Sequence, residues 1–316
     1  MKTKKAIFTA ALAASLAAIA PAAFPADAQI LGAPVCEAAK NVTYEKDGIK
    51  LLVPEIYDDL LYTKIFKKDK EGKEDEEGRL FSVTEAKSVV DAWLQNERES
   101  GPGWLFTIAR VDADRLHQML CGEMSGADVF AKDSKNRYFI FYHPTDVRFV
   151  RKDEDKMRRD QQLWTDLNEW ASLDVQHEFF ENNKGLVKER YDNSNVSMYL
   201  ARAAYSVEPK VKYTVSTNQY GPLYSDEVKA APYVESLIRN ATYEMVDINQ
   251  TPDGQYVVLN FPDEKIRFDF FNLGDNYVRE VHDDGYEILY KIKFDDGVTK
   301  ASSVMQKWYD ALAAAR

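Results

Sequence analysis

The spacing of apolar residues divides the first half of the chain into strands, helices and one long charged loop. Alternating or continuous apolar runs predict strands at 48–54, 80–83, 104–108, 138–142 and 147–150. Helical spacing predicts helices at 85–95, at 116–124 and around Leu163 to Ala171. In the first of these helices, Val89, Val90, Trp93 and Leu94 fall on one face. This face makes residues 85–95 an amphipathic helix.

The second half alternates more regularly and ends in a helix. Apolar runs predict strands at 243–248, 255–261, 266–271, 277–281 and 286–294. Helices are predicted near 233–240 and at 302–314, where Val304, Trp308 and Leu312 share one side. The sequence Asp283-Asp284-Gly285 is typical of a hairpin turn. The pattern therefore indicates an antiparallel meander closed by a terminal helix.

These patterns together predict an α+β protein of two domains, each an antiparallel sheet with packed helices. The chain has 316 residues, and about 150 residues per domain also gives roughly two. We assign residues 1–28 to a signal peptide, 29–185 to the first domain, 186–206 to a connector and 207–316 to the second domain. The strand and proline pattern at 138–149 resembles that at 256–268, so a duplication is one interpretation and ordinary antiparallel geometry is the other.

The first 28 residues have the layout of a secretory signal peptide. Lys2, Lys4 and Lys5 precede an apolar stretch at 6–20, and Ala26-Asp27-Ala28 supplies a small-residue cleavage pattern. The apolar stretch is shorter than the roughly 20 residues that span a bilayer. We therefore predict export to the periplasm, cell envelope or exterior, with no transmembrane segment in the mature chain.

Acidic composition excludes some classes of partner. The net charge is −11, and removal of residues 1–28 would take away three lysines and one aspartate, making the chain more acidic. Such a surface repels nucleic acid phosphates, so we expect no nucleic acid partner. The lysines at 64–73 alternate with carboxylates up to Gly78, which predicts a solvated hairpin loop.

The two cysteines, Cys36 and Cys121, predict a disulfide if the chain is exported, because disulfides persist in oxidising compartments. Two free thiols, or lipidation of Cys36, are the alternatives. The residues before Cys36 do not match a lipoprotein signal.

The order of motifs in the first half resembles a known family. The strand ending in Pro54, the segments LFSV and GWLFTIARV, and YFIFYHPTDVRFV followed by a tryptophan-bearing helix are similar to the PsbP-like α/β/α domain of exported bacterial proteins. The resemblance covers roughly residues 45–172, and it includes Pro144, Thr145 and Asp146. It implies an antiparallel sheet flanked by helices that serves as a binding or accessory module, and it implies no reaction. The second half is not part of it.

His143 and Asp146 are the strongest candidates for chemistry, because they follow the strand 138–142 where a loop displays its side chains. A histidine beside a carboxylate is able to act as a general base. The alternative is a simple turn in which Asp146 caps the backbone. Hydrolase, zinc-protease and phosphate-loop motifs are missing from the sequence.

Other combinations give weaker signals. His117 and Cys121 are four residues apart on a predicted helix, so their side chains share one face, as a cysteine nucleophile and its base require. A disulfide is the better interpretation of Cys121. The two Asp-Asp-Gly sequences at 283–285 and 295–297 lack the rest of a calcium loop. We therefore expect no metal site and no cofactor.

The sequence favours an exported, non-enzymatic binding or accessory protein of the bacterial cell envelope, whose partner is an unknown protein or small ligand. The alternative is an envelope hydrolase that uses His143 and Asp146.

Overall fold

The computed structural model describes residues 40–68, 75, 77–95, 101–122, 124–206, 211–218, 220–224, 229–254, 256–271 and 276–315. The predicted signal peptide and Cys36 therefore lie outside the described residues. The fold is α+β with antiparallel sheets, as the sequence predicts. Three sheets are formed by the described residues.

The first half holds a hairpin and a six-stranded sheet. The hairpin pairs β1 (Asn41–Lys46) with β2 (Ile49–Pro54). The six-stranded sheet has the order β3-β4-β5-β7-β6-β8, with β3 (Leu61–Ile65), β4 (Arg79–Glu85), β5 (Trp104–Val111), β6 (Ala127–Lys132), β7 (Tyr138–Tyr142) and β8 (Val187–Lys188). Strands β3 and β4 pair as the predicted charged hairpin requires.

Helices pack on both faces of this sheet. Those of the first half are α1 (Glu55–Asp58), α2 (Ala86–Leu94), α3 (Ala113–Leu120), α4 (Glu154–Glu169) and α5 (Val175–Asn182), with a π-helical turn (Trp170–Asp174) joining α4 to α5. Successive side chains of β7 point to opposite faces, so Phe139 and Phe141 join one core, and Tyr138 and Ile140 join another. Both faces of the sheet are thus buried.

The second half forms a seven-stranded sheet with the order β10-β9-β12-β13-β14-β15-β11. Its strands are β9 (Thr214–Thr217), β10 (Leu223–Tyr224), β11 (Ala241–Val246), β12 (Tyr256–Phe261), β13 (Ile266–Phe271), β14 (Tyr277–His282) and β15 (Glu287–Phe294). Its helices are α6 (Asn195–Tyr205), α7 (Ala231–Arg239) and α8 (Ala301–Ala314), and short 3₁₀ turns lie at Ile248–Gln250 and Pro262–Glu264.

One core joins the two sheets. The apolar cluster on the second face of the six-stranded sheet continues through α3, α6, α7 and α8 to the inner face of the seven-stranded sheet. Helix α6 lies within the predicted connector 186–206, and its Val196, Leu200 and Ala201 are buried in that cluster. The later part of the connector is therefore a structural helix between the sheets.

Residues 147–150 do not form the strand that their composition predicts. Their backbone groups bond to other elements: the Gly103 N–H donates to the Arg148 carbonyl at 2.6 Å, and the Val150 N–H donates to the Ser88 hydroxyl at 3.0 Å. This segment therefore runs beside α2, and it does not add a strand to the sheet after β7.

Candidate functional site

His143 lies directly after β7 and faces a carboxylate from the neighbouring strand. The backbone N–H of His143 donates to the Gly126 carbonyl at 2.8 Å, and the ring Nε2 is 3.6 Å from Asp128 Oδ2. Gly126 has a φ of +71°, and a Cβ there would approach the His143 carbonyl oxygen to 2.6 Å. Only glycine fits this close approach, so the turn holds the half-exposed imidazole beside Asp128.

Asp146 has a different partner. Its carboxylate contacts Arg148 Nε at 2.7 Å and is largely exposed. The structure therefore pairs Asp146 with Arg148, and it brings Asp128 to His143. The sequence reasoning missed Asp128 because its position depends on the pairing of β6 with β7, which sets Asp128 opposite Phe141.

His117 and Cys121 show little sign of a reactive pair. Burial raises the pKa of the Cys121 thiol, and the thiol donates to the Ala201 carbonyl at 3.4 Å. Burial also lowers the pKa of His117, whose ring stacks on Tyr205 with 3.8 Å between centroids. Both shifts oppose a thiolate beside an imidazolium. The disulfide stays a prediction, since Cys36 lies outside the described residues.

The Asp-Gly sequences occupy turns. Asp284 accepts a hydrogen bond from the Tyr286 N–H at 3.0 Å between β14 and β15, and Asp296 accepts one from the Val298 N–H at 3.0 Å. Among the described residues, no group of three or more His, Cys, Asp or Glu side chains is placed to hold a metal ion.

A groove of about 930 Å³ lies between the two halves of the fold. One wall comes from β6 at 128–130 and from the π-helical turn and α5 at 172–180. The other comes from the end of α7 and the start of β11 at 239–242. The segment 188–193 also lines the groove. Asp128, the neighbour of His143, belongs to the first wall, so the histidine lies at the edge of this groove.

The π-helical turn both anchors the groove wall and displays an apolar side chain. Trp170 and Ala171 are buried in the first core, whereas Leu173 lines the groove and is 73% exposed. A π turn widens the helix by one residue per turn, which changes the direction of the side chains that follow, and such turns are frequent at functional sites. The apolar periodicity of 154–182 contains no signal for this turn.

Ion pairs fix the charged part of the wall. Glu189 contacts Arg239 at 2.9 Å and Lys132 at 3.3 Å, and Arg239 also contacts Glu235 at 3.0 Å. Burial opposes the charge on Arg239, but the hydrogen bonds that Arg239 donates to the Glu235 and Glu189 carboxylates outweigh this effect and raise the pKa of Arg239. These groups are held in place by one another, so the wall is preorganised.

Sheet edges border the groove on both sides. Strand β11 ends the seven-stranded sheet and pairs with β15 along one side. On its other side, the Tyr243 N–H donates to Asp192 at 3.1 Å. Strand β6 meets β8 only at Ala131 and Lys132, and the Glu189 N–H donates to the Phe130 carbonyl at 3.2 Å. Backbone groups of both sheets thus flank the groove.

A second surface lies on α2, where the apolar face points away from the core. Its four large apolar side chains are between 41% and 76% exposed: Val89, Val90, Trp93 and Leu94. The buried side of the helix carries Ser88, Asp91 and Ala92. The amphipathic helix is therefore confirmed, but its orientation is the reverse of what burial of an apolar stripe would give.

A buried arginine explains this orientation. Arg151 has a fully buried side chain that forms an ion pair with Glu85, and its Nη1 donates to the Ser88 hydroxyl at 2.9 Å. Its Nε contacts Asp160 at 2.9 Å. Burial opposes the charge, but Glu85 and Asp160 outweigh that effect and raise the pKa of Arg151. Because a buried charge needs its partners, the polar side of α2 turns inward.

The start of α2 fits closely against this cluster. Glu85 is the N-cap residue and accepts from the Ser88 N–H at 3.2 Å, while Asp91 accepts from the Lys152 N–H at 3.2 Å. Gly103 has a φ of +72°, and a Cβ there would lie 2.5 Å from the Glu85 carbonyl oxygen. The helix is thus fixed at its cap, along its polar side and by the neighbouring loop.

Comparisons with protein-family models, with curated proteins and with solved structures find no match. Within the described part of the chain, no helix is both long and apolar enough to cross a bilayer. Function therefore has to be inferred from the groove, from the His143 region and from α2.

Proposed function

We propose that the chain is an exported, non-enzymatic binding protein whose groove takes an extended polypeptide segment. The observation that carries this proposal is the groove of about 930 Å³ bordered by the edges of both sheets. Edge strands bind extended peptides by adding a strand, with backbone hydrogen bonds for affinity and side-chain pockets for specificity. Here Lys188 of the edge strand β8 and the first residues of the edge strand β11 line the groove.

The side chains of the groove suit such a ligand. Leu173 and Phe180 offer apolar contact, and the segment 188–193 contributes both cationic and anionic groups. The ion pairs of Glu189 and Arg239 hold the wall in one shape, which lowers the entropy lost on binding. A short peptide with one apolar side chain between polar ones is the occupant that this lining favours.

The experiment is a selection of phage-displayed seven-residue peptides on the purified chain, followed by calorimetry with the selected synthetic peptides. The test variant is Leu173→Glu in the groove. The matched control is Val298→Glu, because Val298 is 76% exposed and lies outside the groove lining. We expect Leu173→Glu to weaken binding by about tenfold or more, which corresponds to about 1.4 kcal/mol, and Val298→Glu to leave it unchanged. Peptides that bind both variants equally would contradict the proposal.

A hydrolase is the second candidate, and the contact of His143 with Asp128 at the groove edge favours it. The sequence-based version used His143 with Asp146, whose carboxylate contacts Arg148. We would assay the chain against chromogenic ester and peptide substrates. Turnover that is lost in both His143→Ala and Asp128→Asn and retained in Asp146→Asn would establish this function with Asp128 as the partner carboxylate, and it would replace the non-enzymatic proposal.

The envelope location remains part of the proposal. It is supported by the signal-peptide layout of residues 1–28 and by the resemblance of residues 45–172 to PsbP-like accessory modules. Intact mass of the native protein tests it. A mature chain beginning at Gln29 is expected, and a chain that keeps residues 1–28 in a cytosolic fraction would contradict export.

A further inference from the structure

Strand β11 is the edge of the seven-stranded sheet that borders the groove. It pairs with β15 along one side, and among the described residues no strand pairs with its other side. Its first residues, Ala241 and Thr242, line the groove. An edge strand carries a row of backbone N–H and C=O groups that are able to pair with another extended chain.

The register of β11 shows which of its backbone groups point to the free edge. The Asp295 N–H donates to the Asn240 carbonyl at 3.0 Å, so these two residues form a hydrogen-bonded pair just before the strand begins. Hydrogen-bonded and non-hydrogen-bonded pairs alternate along an antiparallel ladder. Ala241, Tyr243 and Met245 therefore occupy the non-hydrogen-bonded positions opposite β15, and their N–H and C=O groups point away from it.

A carboxylate already occupies the central position of this edge. The Tyr243 N–H donates to Asp192 Oδ2 at 3.1 Å, which agrees with the outward direction that the register gives. Asp192 Oδ1 accepts a second hydrogen bond, from the Ser194 N–H at 2.8 Å, so Asp192 keeps one partner if it gives up Tyr243. The Tyr243 hydroxyl donates to the Leu237 carbonyl at 2.7 Å and holds the strand from its buried side. The carboxyl oxygen thus takes the place that a backbone carbonyl of an added strand would take.

The edge of the other sheet offers fewer groups to a ligand. Strand β8 (Val187–Lys188) has two residues, and one of them at most directs its backbone groups away from β6. Beside it, the Phe130 carbonyl of β6 already accepts the Glu189 N–H at 3.2 Å. Three outward-facing residues on β11 make it the better template for a strand.

We propose that the peptide in the groove adds as a strand to the free edge of β11, and that a peptide carbonyl displaces the Asp192 carboxylate from the Tyr243 N–H. Asp192 is then a built-in cap that shields the edge from unspecific pairing and competes with the ligand. This inference rests on the proposed function, because it names the strand and the register by which the groove binds a peptide.

The first test uses the tightest-binding synthetic seven-residue peptide selected on the purified chain, and seven derivatives that each carry one N-methylated backbone nitrogen. Alternate N–H groups of an added strand face β11. Calorimetry should therefore show binding weakened by about fivefold or more at every second position of the paired stretch, since each methyl removes one hydrogen bond. Derivatives that bind equally, or losses without alternation, would overturn the inference and leave peptide binding in the groove intact. A selection that yields no binding peptide would overturn the proposed function as well.

The second test identifies the strand. Met245→Pro removes an outward N–H, and proline is tolerated on an edge strand where that N–H does not belong to the ladder. Met245→Ala changes the same side chain and keeps the N–H. We expect Met245→Pro to bind the selected peptide about fivefold more weakly than Met245→Ala does. Equal affinities in two variants with wild-type circular dichroism would overturn the assignment to β11. If Met245→Pro does not fold, the N-methyl series still decides whether the peptide adds as a strand.

The third test concerns the cap. Asp192→Ala frees the Tyr243 N–H, so the selected peptide should bind about threefold more tightly or better than it binds the wild type. Asp295→Ala is the matched variant, because it removes an equal charge from the groove lining without uncovering an edge N–H, and it should not show this gain. Binding by Asp192→Ala that is no tighter than binding by the wild type would overturn the displacement.

Discussion

Helices α2 and α8 carry similar apolar stripes with one tryptophan each, yet they present them to opposite environments. Trp308 in α8 is 0% exposed and sits in the core shared by the two sheets, whereas Trp93 in α2 is 76% exposed. The polar side of α8 has Lys307 and Asp310 in solvent. The polar side of α2 binds a buried arginine instead. A stripe of apolar residues thus predicts a helix, and the polar residues decide which face meets the core.

The largest effect in this comparison is expected from Trp308→Ala. Truncation of this fully buried side chain removes its apolar contacts and leaves a cavity. Such a change typically lowers the free energy of unfolding by about 3–5 kcal/mol. Urea unfolding should show this loss. Trp93→Ala is the matched control, and it should change the free energy of unfolding of the monomer by less than about 0.5 kcal/mol, because exposed substitutions are usually neutral. Equal losses in both variants would remove the distinction between the helices.

Breaking the ion pair beneath α2 should be comparably damaging. Arg151→Met leaves the Glu85 carboxylate buried without its cation, and removal of one partner from a buried pair typically costs about 3–5 kcal/mol. Arg151→Met/Glu85→Gln removes both charges and should recover a large part of the loss in urea unfolding. If the single variant is as stable as the wild type, Arg151 does not hold α2 in place.

Asp160 gives a smaller effect with a defined pH dependence. Burial raises the pKa of Asp160, but hydrogen bonds from Lys87 and Arg151 outweigh it, so the pKa in the folded chain lies below the usual value. A lowered carboxyl pKa stabilises the fold above the unfolded pKa of about 3.9, and this contribution is lost as pH falls through the folded pKa. Asp160→Asn should therefore lower the free energy of unfolding by about 1–3 kcal/mol at pH 7, which is the typical contribution of hydrogen bonds to a charged group. In strong acid, where Asp160 is protonated, the same substitution should lower it much less. A loss that does not vary with pH would contradict this origin.

The strands and the last helix could be predicted because local pattern and tertiary packing agree there. The alternating run of β7 places Phe139 and Ile140 on opposite buried faces, and the stripe of α8 packs inward as its spacing indicates. Residues 147–150 have an equally apolar pattern but bond to Ser88 and Gly103, so no strand forms.

The candidate site was less predictable, because it depends on contacts between residues distant in sequence. His143 was found from its position after β7, but its neighbour Asp128 follows from the β6–β7 register. The exposure of Leu173 depends on a π turn that leaves no periodic signal. The orientation of α2 depends on Arg151, which lies 66 residues from Glu85.

The outward orientation of α2 is tested most directly by the rate at which a thiol reagent labels each face of the helix. The variants Val90→Cys and Ala92→Cys would be compared in a Cys36→Ser/Cys121→Ser background, which removes the two native thiols. Val90 is half-exposed and Ala92 is buried. We predict that the cysteine at 90 is labelled far faster than the one at 92 in the folded chain. Faster labelling at 92 would show that the apolar face meets the core, and it would contradict the role of Arg151 in orienting α2.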